Sequence, residues 1–339
     1  MKKWLGYFLK VLAAILALLL AVVLFFTLQA NLRETKTRQE AAPSTGRFVQ
    51  AGDVQLFIQE MGPTDRQAQV ILFIHGTAAW SGLWRETMTP LAAAGYRCIA
   101  IDMPPFGYSE RPSTPSYGNA DQAKRIVALM DALEIEHAIL LGHSFGGGAT
   151  METALTIPER IDALILEDVG GLNLNLLPAP KTQRPSAVEM LLGAPFVRNP
   201  VLAATATNPL FTKTLISTMI LDPADATQEK ISILQEPLVL QDSTNTLGDW
   251  LKEVLGPQEI SLTSDPANYQ KLTMPALILW GDSDTVIPLQ EGEYLQSILP
   301  DAELVVMQGV NHIPHVEDHE KFMEIVLGFL DRSVIASER

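Results

Sequence analysis

The stretch "LLGHSFGGGAT", residues 140–150, sets one serine among four glycines directly after an apolar run. "AILL" reads as a strand and "GGGATMETAL" as the start of a helix, so "GHSFG" joins them as a Gly-x-Ser-x-Gly turn. So sharp a turn demands small neighbours. Gly142 and Gly146 leave room where strand and helix nearly meet, and Gly147 and Gly148 permit close packing behind. Ser144 is expected to project its hydroxyl above a sheet, over a helix N-terminus that favours developing negative charge. The phosphate-cradle reading fails, because the stretch has no Gly-x4-Gly-Lys-Ser/Thr pattern.

Outward from this turn the sequence alternates buried strands with helical spacing. "VILFIHG", "RCIAIDM", "AILLGHS", "DALILED" and "PALILWGD" are continuous apolar runs, as parallel strands covered on both faces require. "RFVQAGDVQLFIQEMG" predicts a hairpin turning at Gly52-Asp53. Asp121 to Leu133 and Ala149 to Leu155 repeat apolar residues at helical spacing. Strand–helix–strand repetition predicts an α/β fold with a mostly parallel, doubly wound sheet. From about Leu172 to Lys271 no buried strand is legible, and so long an interval predicts an inserted helical cap over the carboxyl ends of the strands.

A serine hydroxyl is a poor nucleophile at neutral pH and needs a base, itself oriented by an acid. After "PALILW" comes "GDSDTVIP", and near the end comes "GVNHIPHVE". With the "HG" turn after the third strand, "DMPPFGYSERP" after the fourth and the serine turn, the chain resembles the α/β-hydrolase superfamily from about residue 46 to 332. The resemblance implies an α/β-hydrolase fold with Ser144 as nucleophile, Asp284 as acid and His312 as base. It selects Asp284 over Asp282 in the shared loop. Asp168 competes, because some relatives place the acid after that preceding strand; its alternative is a helix cap or loop residue. The resemblance makes Asp102 structural. The oxyanion hole needs two N–H donors: the amide of Phe145, and one from the loop after "FIHG", assigned to Thr77 with Ala78 next in line.

The remaining histidines carry plainer readings. His75 and His143 brace loops, and His137 lies on the surface. His312, His315 and His319 have metal-compatible spacing on a helix, but Pro314 disfavours a helix through Ile313, so no metal is expected. The single cysteine, Cys98, lies in the run "CIAIDM" and is expected to be a buried strand residue.

The N-terminus has a separate role. From Val11 to Leu28 no charge interrupts an apolar run long enough to cross a bilayer, and "LQAN" is a poor signal-peptidase site. Residues 1–30 are therefore read as an uncleaved transmembrane anchor and 31–46 as a linker. The hydrolase core follows at 47–171 and 272–332, around a cap at 172–271. Lys2, Lys3 and Lys10 lie before the span, and Arg33, Lys36 and Arg38 after it. That balance leans towards a cytoplasmic N-terminus and a catalytic domain on the other side. A formal charge of −15 argues against a nucleic-acid partner.

The resemblance implies a membrane-anchored serine hydrolase needing no cofactor. The apolar cap, with Leu176, Leu177, Met190, Leu191, Leu192, Phe196, Phe211, Ile216, Met219 and Ile220, suits an ester with an apolar acyl group, although most of these side chains are expected to form the cap's own core. Two rivals stand beside this. The same triad could cleave a carbon–carbon bond in a diketone-like acid, with Arg184 or Arg198 receiving the carboxylate. Alternatively the fold is a non-catalytic ligand-binding module.

Overall fold

The computed structural model describes residues 2–65, 67–172, 193–256 and 260–337. Eight strands form one sheet in the order β1-β2-β4-β3-β5-β6-β7-β8. The expected hairpin is present as β1 (Gly46–Ala51) and β2 (Val54–Met61), antiparallel to each other, and β2 runs antiparallel to β4. β3 (Val70–Ile74), β4 (Arg97–Ile101), β5 (Ala138–His143), β6 (Ile161–Glu167), β7 (Ala276–Gly281) and β8 (Ala302–Met307) are mutually parallel where they pair. The sequence reading missed β8. It lies at the sheet edge and is half-buried along most of its length, so it lacks the continuous apolar run of the others.

The parallel strands divide their side chains between two cores by simple alternation. Leu72, Ile74, Leu140, Leu164, Leu166 and Ile278 face one side. Ile71, Phe73, Ile139, Leu141, Ile165 and Leu277 face the other. Every one of these twelve is essentially without exposed surface, which is why these strands read as unbroken apolar runs. The helices α2 (Arg85–Ala93), α3 (Asn119–Ala132) and α4 (Gly146–Thr156) cover the sheet with α9 (Leu289–Ile298) and α10 (His319–Ser337). Between β6 and β7 the described residues contain no strand. They form α5 (Pro195–Ala204), α6 (Pro209–Ile216), α7 (Gln228–Gln235) and α8 (Ser243–Leu255).

Ile216 and Ile231 of these helices, with Ile220 and Ala226 from the connection between α6 and α7, pack with Ala79, Leu83, Ile313 and Val316. Phe196 and Phe211, expected in that core, instead stand 79% and 41% exposed. Leu176, Leu177, Met190, Leu191 and Leu192 lie outside the described residues, as does Arg184.

The apolar N-terminal stretch is one helix, α1 (Lys2–Arg33), long and apolar enough to cross a membrane. It runs past the expected end of the span, and residues beyond it are tied to the cap. Arg33 Nε donates to Leu238 O at 3.1 Å, and Lys36 pairs with Leu240 as an isolated β-bridge. The Glu34 carboxylate accepts from the Thr244 amide at 3.0 Å, in the first turn of α8. The segment read as a linker is thus hydrogen-bonded to the domain it joins.

Candidate active site

β5 ends at His143 and α4 begins at Gly146, leaving two residues for the turn. Ser144 carries the strain with φ 50°, a left-handed conformation that L-residues adopt at a cost of about 1–2 kcal/mol. Three main-chain bonds pin it: its amide donates to Glu167 O, and its carbonyl accepts from Gly147 and Gly170. A Cβ on Gly146 would come within 2.6 Å of the carbonyl oxygens of Ile74 and His75, and one on Gly142 would overlap Thr150. The crowding inferred for these two glycines is present.

The three residues of the expected triad meet. The Ser144 hydroxyl lies 2.9 Å from His312 Nε2, and His312 Nδ1 donates to Asp284 Oδ2 at 2.9 Å. The other Asp284 oxygen accepts from the amides of Val286 and Ile287. Burial works against charge on Asp284, but the hydrogen bond and charge of His312 bring its carboxyl below the usual value. The His312 main chain is clamped from both sides. Its amide donates to Met219 O in the cap region at 3.0 Å, and His143 Nε2 donates to its carbonyl at 2.8 Å. The bond to Met219 was not legible, since sequence does not say which cap carbonyl will meet a loop ninety residues later.

Phe145 stands at the N-terminus of α4, and neither its amide nor that of Thr77 has a protein acceptor among the described residues. Thr77 and Ala78 both line the cavity over Ser144, and Ala78 has φ 58°. The unengaged amides of Phe145 and Thr77 suit the two donors expected of an oxyanion hole.

The other candidates fall into place around them. His75 Nε2 accepts from the Met103 amide and Nδ1 donates to Gly76 O, and burial lowers its pKa to about 4. His143 is likewise buried and pushed down to about 3. Both brace loops as neutral rings. His137 is exposed beside Asp162. Asp102 accepts from the amides of Ser81 and Tyr108 at 2.7 Å each, which fits a structural role. His312, His315 and His319 turn to different partners: His315 donates to Glu167, and His319 to the His315 carbonyl. Asp168, the rival acid, makes no hydrogen bond to His312; its Oδ1 accepts from the Gly281 amide at 3.0 Å.

Above Ser144 lies a cavity of about 320 Å³. Leu215, Ile216, Met219, Leu234, Leu238 and Leu247 supply much of its wall. Arg111 is the one lysine, arginine, aspartate or glutamate among the described lining residues. Its guanidinium donates to Gln241 O and to Ser243 Oγ. Arg198 is not in the wall: it is buried, with Nη2 on Asp249 at 3.0 Å. Arg111 sits within the quoted "DMPPFGYSERP", but nothing local marks it as facing a cavity.

A mostly parallel sheet of this order, with a strained serine between β5 and α4 and an imidazole over it, defines an α/β-hydrolase. A family model for the alpha/beta hydrolase fold matches residues 69–212 and 225–319. The chain belongs to that family and is a hydrolase of it. It is 28% identical over 309 residues to a 2-hydroxy-6-oxononadienedioate/2-hydroxy-6-oxononatrienedioate hydrolase of Paraburkholderia phymatum, covering 88% of this chain and 99% of that one. Among solved structures, a membrane phospholipase A described as a bacterial virulence factor matches with a TM-score of 0.67 and 25% identity, over 98% of this chain and 99% of that one. A meta-cleavage product hydrolase from Pseudomonas fluorescens matches with a TM-score of 0.64 and 25% identity, over 85% and 98%.

Proposed function

We propose that the protein is a membrane-anchored serine hydrolase that cleaves a carboxylic ester bearing an apolar acyl group. The cavity wall carries this reading, because it places aliphatic side chains beside Ser144 and offers one cation. Ser144 Oγ attacks the ester carbonyl carbon while its proton passes to His312 Nε2. The amides of Phe145 and Thr77 receive the oxyanion. Asp284 holds the Nδ1–H tautomer and stabilises the imidazolium. His312 then protonates the departing alkoxide, and a water attacks the acyl-enzyme by the same route in reverse roles. Neither metal nor cofactor enters these steps.

The names of the relatives favour the second reading, carbon–carbon hydrolysis, better than this one. Arg111 is the observation on this chain that fits it, since an acid substrate needs a cation. Against it, a dioate carries two carboxylates, and the described wall offers one arginine whose guanidinium is already bonded to Gln241 and Ser243. Each methylene buried in an apolar pocket contributes about 0.8 kcal/mol, roughly fourfold. Across p-nitrophenyl acetate, butyrate, hexanoate, octanoate and decanoate, kcat/KM is expected to rise until the cavity is full. A profile flat or falling from acetate onwards, with turnover of a diketone-like dienoic acid, would replace the ester reading by the carbon–carbon one. No turnover of either would leave a binding module.

The anchor belongs to the same proposal. α1 contacts α5, which bears the exposed Phe196, and Leu210 of α6 is 87% exposed; together they suit a cap resting on a lipid surface. Carbonate washing is expected to leave the protein in the membrane, and protease outside spheroplasts to digest the catalytic domain. Release by carbonate would remove the anchor from this account, and protection would place the domain in the cytoplasm.

A further inference from the structure

Three carboxyl groups lie at or just past the ends of β6 and β7, and only two of them have an imidazole. Glu167, the last residue of β6, accepts from His315 Nδ1 and the His315 amide. Asp284 accepts from His312. Asp168, between them in the chain order of the sheet, has no basic partner. It is fully buried, with φ 41°, just past the tip of β6. Its Oδ1 takes the Gly281 amide, while the equally buried Oδ2 receives no hydrogen bond. Yet its side chain lies beside the Asp284 carboxyl: Asp168, Asp284 and His312 bring ligand atoms within 4.8 Å of one another.

Two carboxyl groups this close in a buried site disfavour ionising together, and the one without a cation keeps the proton. We propose that Asp168 is a positioning residue of the triad: as the neutral acid it donates Oδ2–H to Asp284, holding that carboxylate from behind on His312 Nδ1. This rests on the triad reading of Ser144, His312 and Asp284. The proton stays on Asp168 throughout the cycle, so no bond is made or broken there. Gly281 fixes the orientation, because its N–H occupies Oδ1 and leaves the buried Oδ2 as the oxygen able to donate. The electrostatic surroundings agree. Burial, then the charge of Glu167, and the contact with Asp284 hold Asp168 well above the usual carboxylate range. The other titratable groups of the cluster are already engaged: Glu167 with His315, and His143 with the His312 carbonyl. Asp284 needs such support, since it sits in a loop whose neighbours Thr285 and Val286 are exposed.

The test compares D168N and D168V with wild type, using S144A and D284N as controls and the pH profile of kcat/KM for p-nitrophenyl butyrate. In D168N the amide oxygen still serves Gly281 and the NH2 donates to Asp284. Its kcat is expected within about threefold of wild type, with the acidic limb of the profile unmoved. D168V keeps the shape and loses the donor. Its kcat is expected to fall on the order of 10²-fold, as misplaced catalytic groups do, with KM changed less than about twofold. Its acidic limb should move to higher pH, because an Asp284 relieved of its donor favours the His312 imidazolium more strongly. Wild-type kcat in D168V would overturn the proposal. So would an acidic limb in D168N displaced to lower pH, since that marks the loss of a negative charge. If D168V does not fold, judged by its melting curve, D168N alone decides by its limb. Loss of activity in D168N with D284N still active would instead defeat the triad reading itself and move the acid to Asp168.

Discussion

Ser144→Ala is expected to lower kcat by about 10⁵–10⁶-fold while leaving the melting temperature close to that of wild type. The magnitude is the one seen when a serine protease loses its nucleophile, where the oxyanion hole and binding alone still give some rate over water. Here the hydroxyl is 2.9 Å from His312 Nε2, and among the described residues no other side-chain hydroxyl is hydrogen-bonded to that nitrogen. The one thiol, Cys98, is buried in β4 and pushed up to about 12 by that burial, as its place in an apolar run implied. A fluorophosphonate probe should therefore label wild type once and the alanine variant not at all. Undiminished labelling of the variant would remove Ser144 from the mechanism.

Asp284→Asn is the second large effect, on the order of 10⁴ in kcat with KM little changed. Asparagine fills the same volume, and its oxygen can keep the amides of Val286 and Ile287. The NH2 then faces His312 Nδ1, which can only accept from it. The tautomer flips, Nε2 carries the proton, and the ring can no longer take one from Ser144. A steady-state assay read beside a fluorophosphonate labelling rate checks this, and both should fall together. A fall in activity with an unchanged labelling rate would show that Asp284 serves deacylation alone.

The sequence carried the fold where chemistry and periodicity repeat locally. A parallel strand buried on both faces must be apolar at every position, so β3 to β7 announce themselves. The serine turn does so as well, since glycine is the residue that lets Thr150 and the carbonyls of Ile74 and His75 approach. β8 stayed hidden because an edge strand is covered unevenly and loses that signature. Phe196 and Phe211 misled for the opposite reason: apolar character says that a side chain avoids water, without saying whether protein or another apolar phase covers it.

The site divides along the same line. The order Ser144, Asp284, His312 is a property of the chain, and it identified three residues that the structure brings to within hydrogen-bond distance. Contacts between residues far apart in sequence were decided by the folded arrangement. Met219 holding the His312 amide, Asp168 lying near Asp284, Arg111 in the cavity wall and Glu34 at the first turn of α8 all depend on how β6, β7 and the cap are packed together. A residue's type limits the bonds it can form. Which partner it finds across a hundred residues is fixed by the packing of the elements that carry both, and that packing is a property of the whole fold.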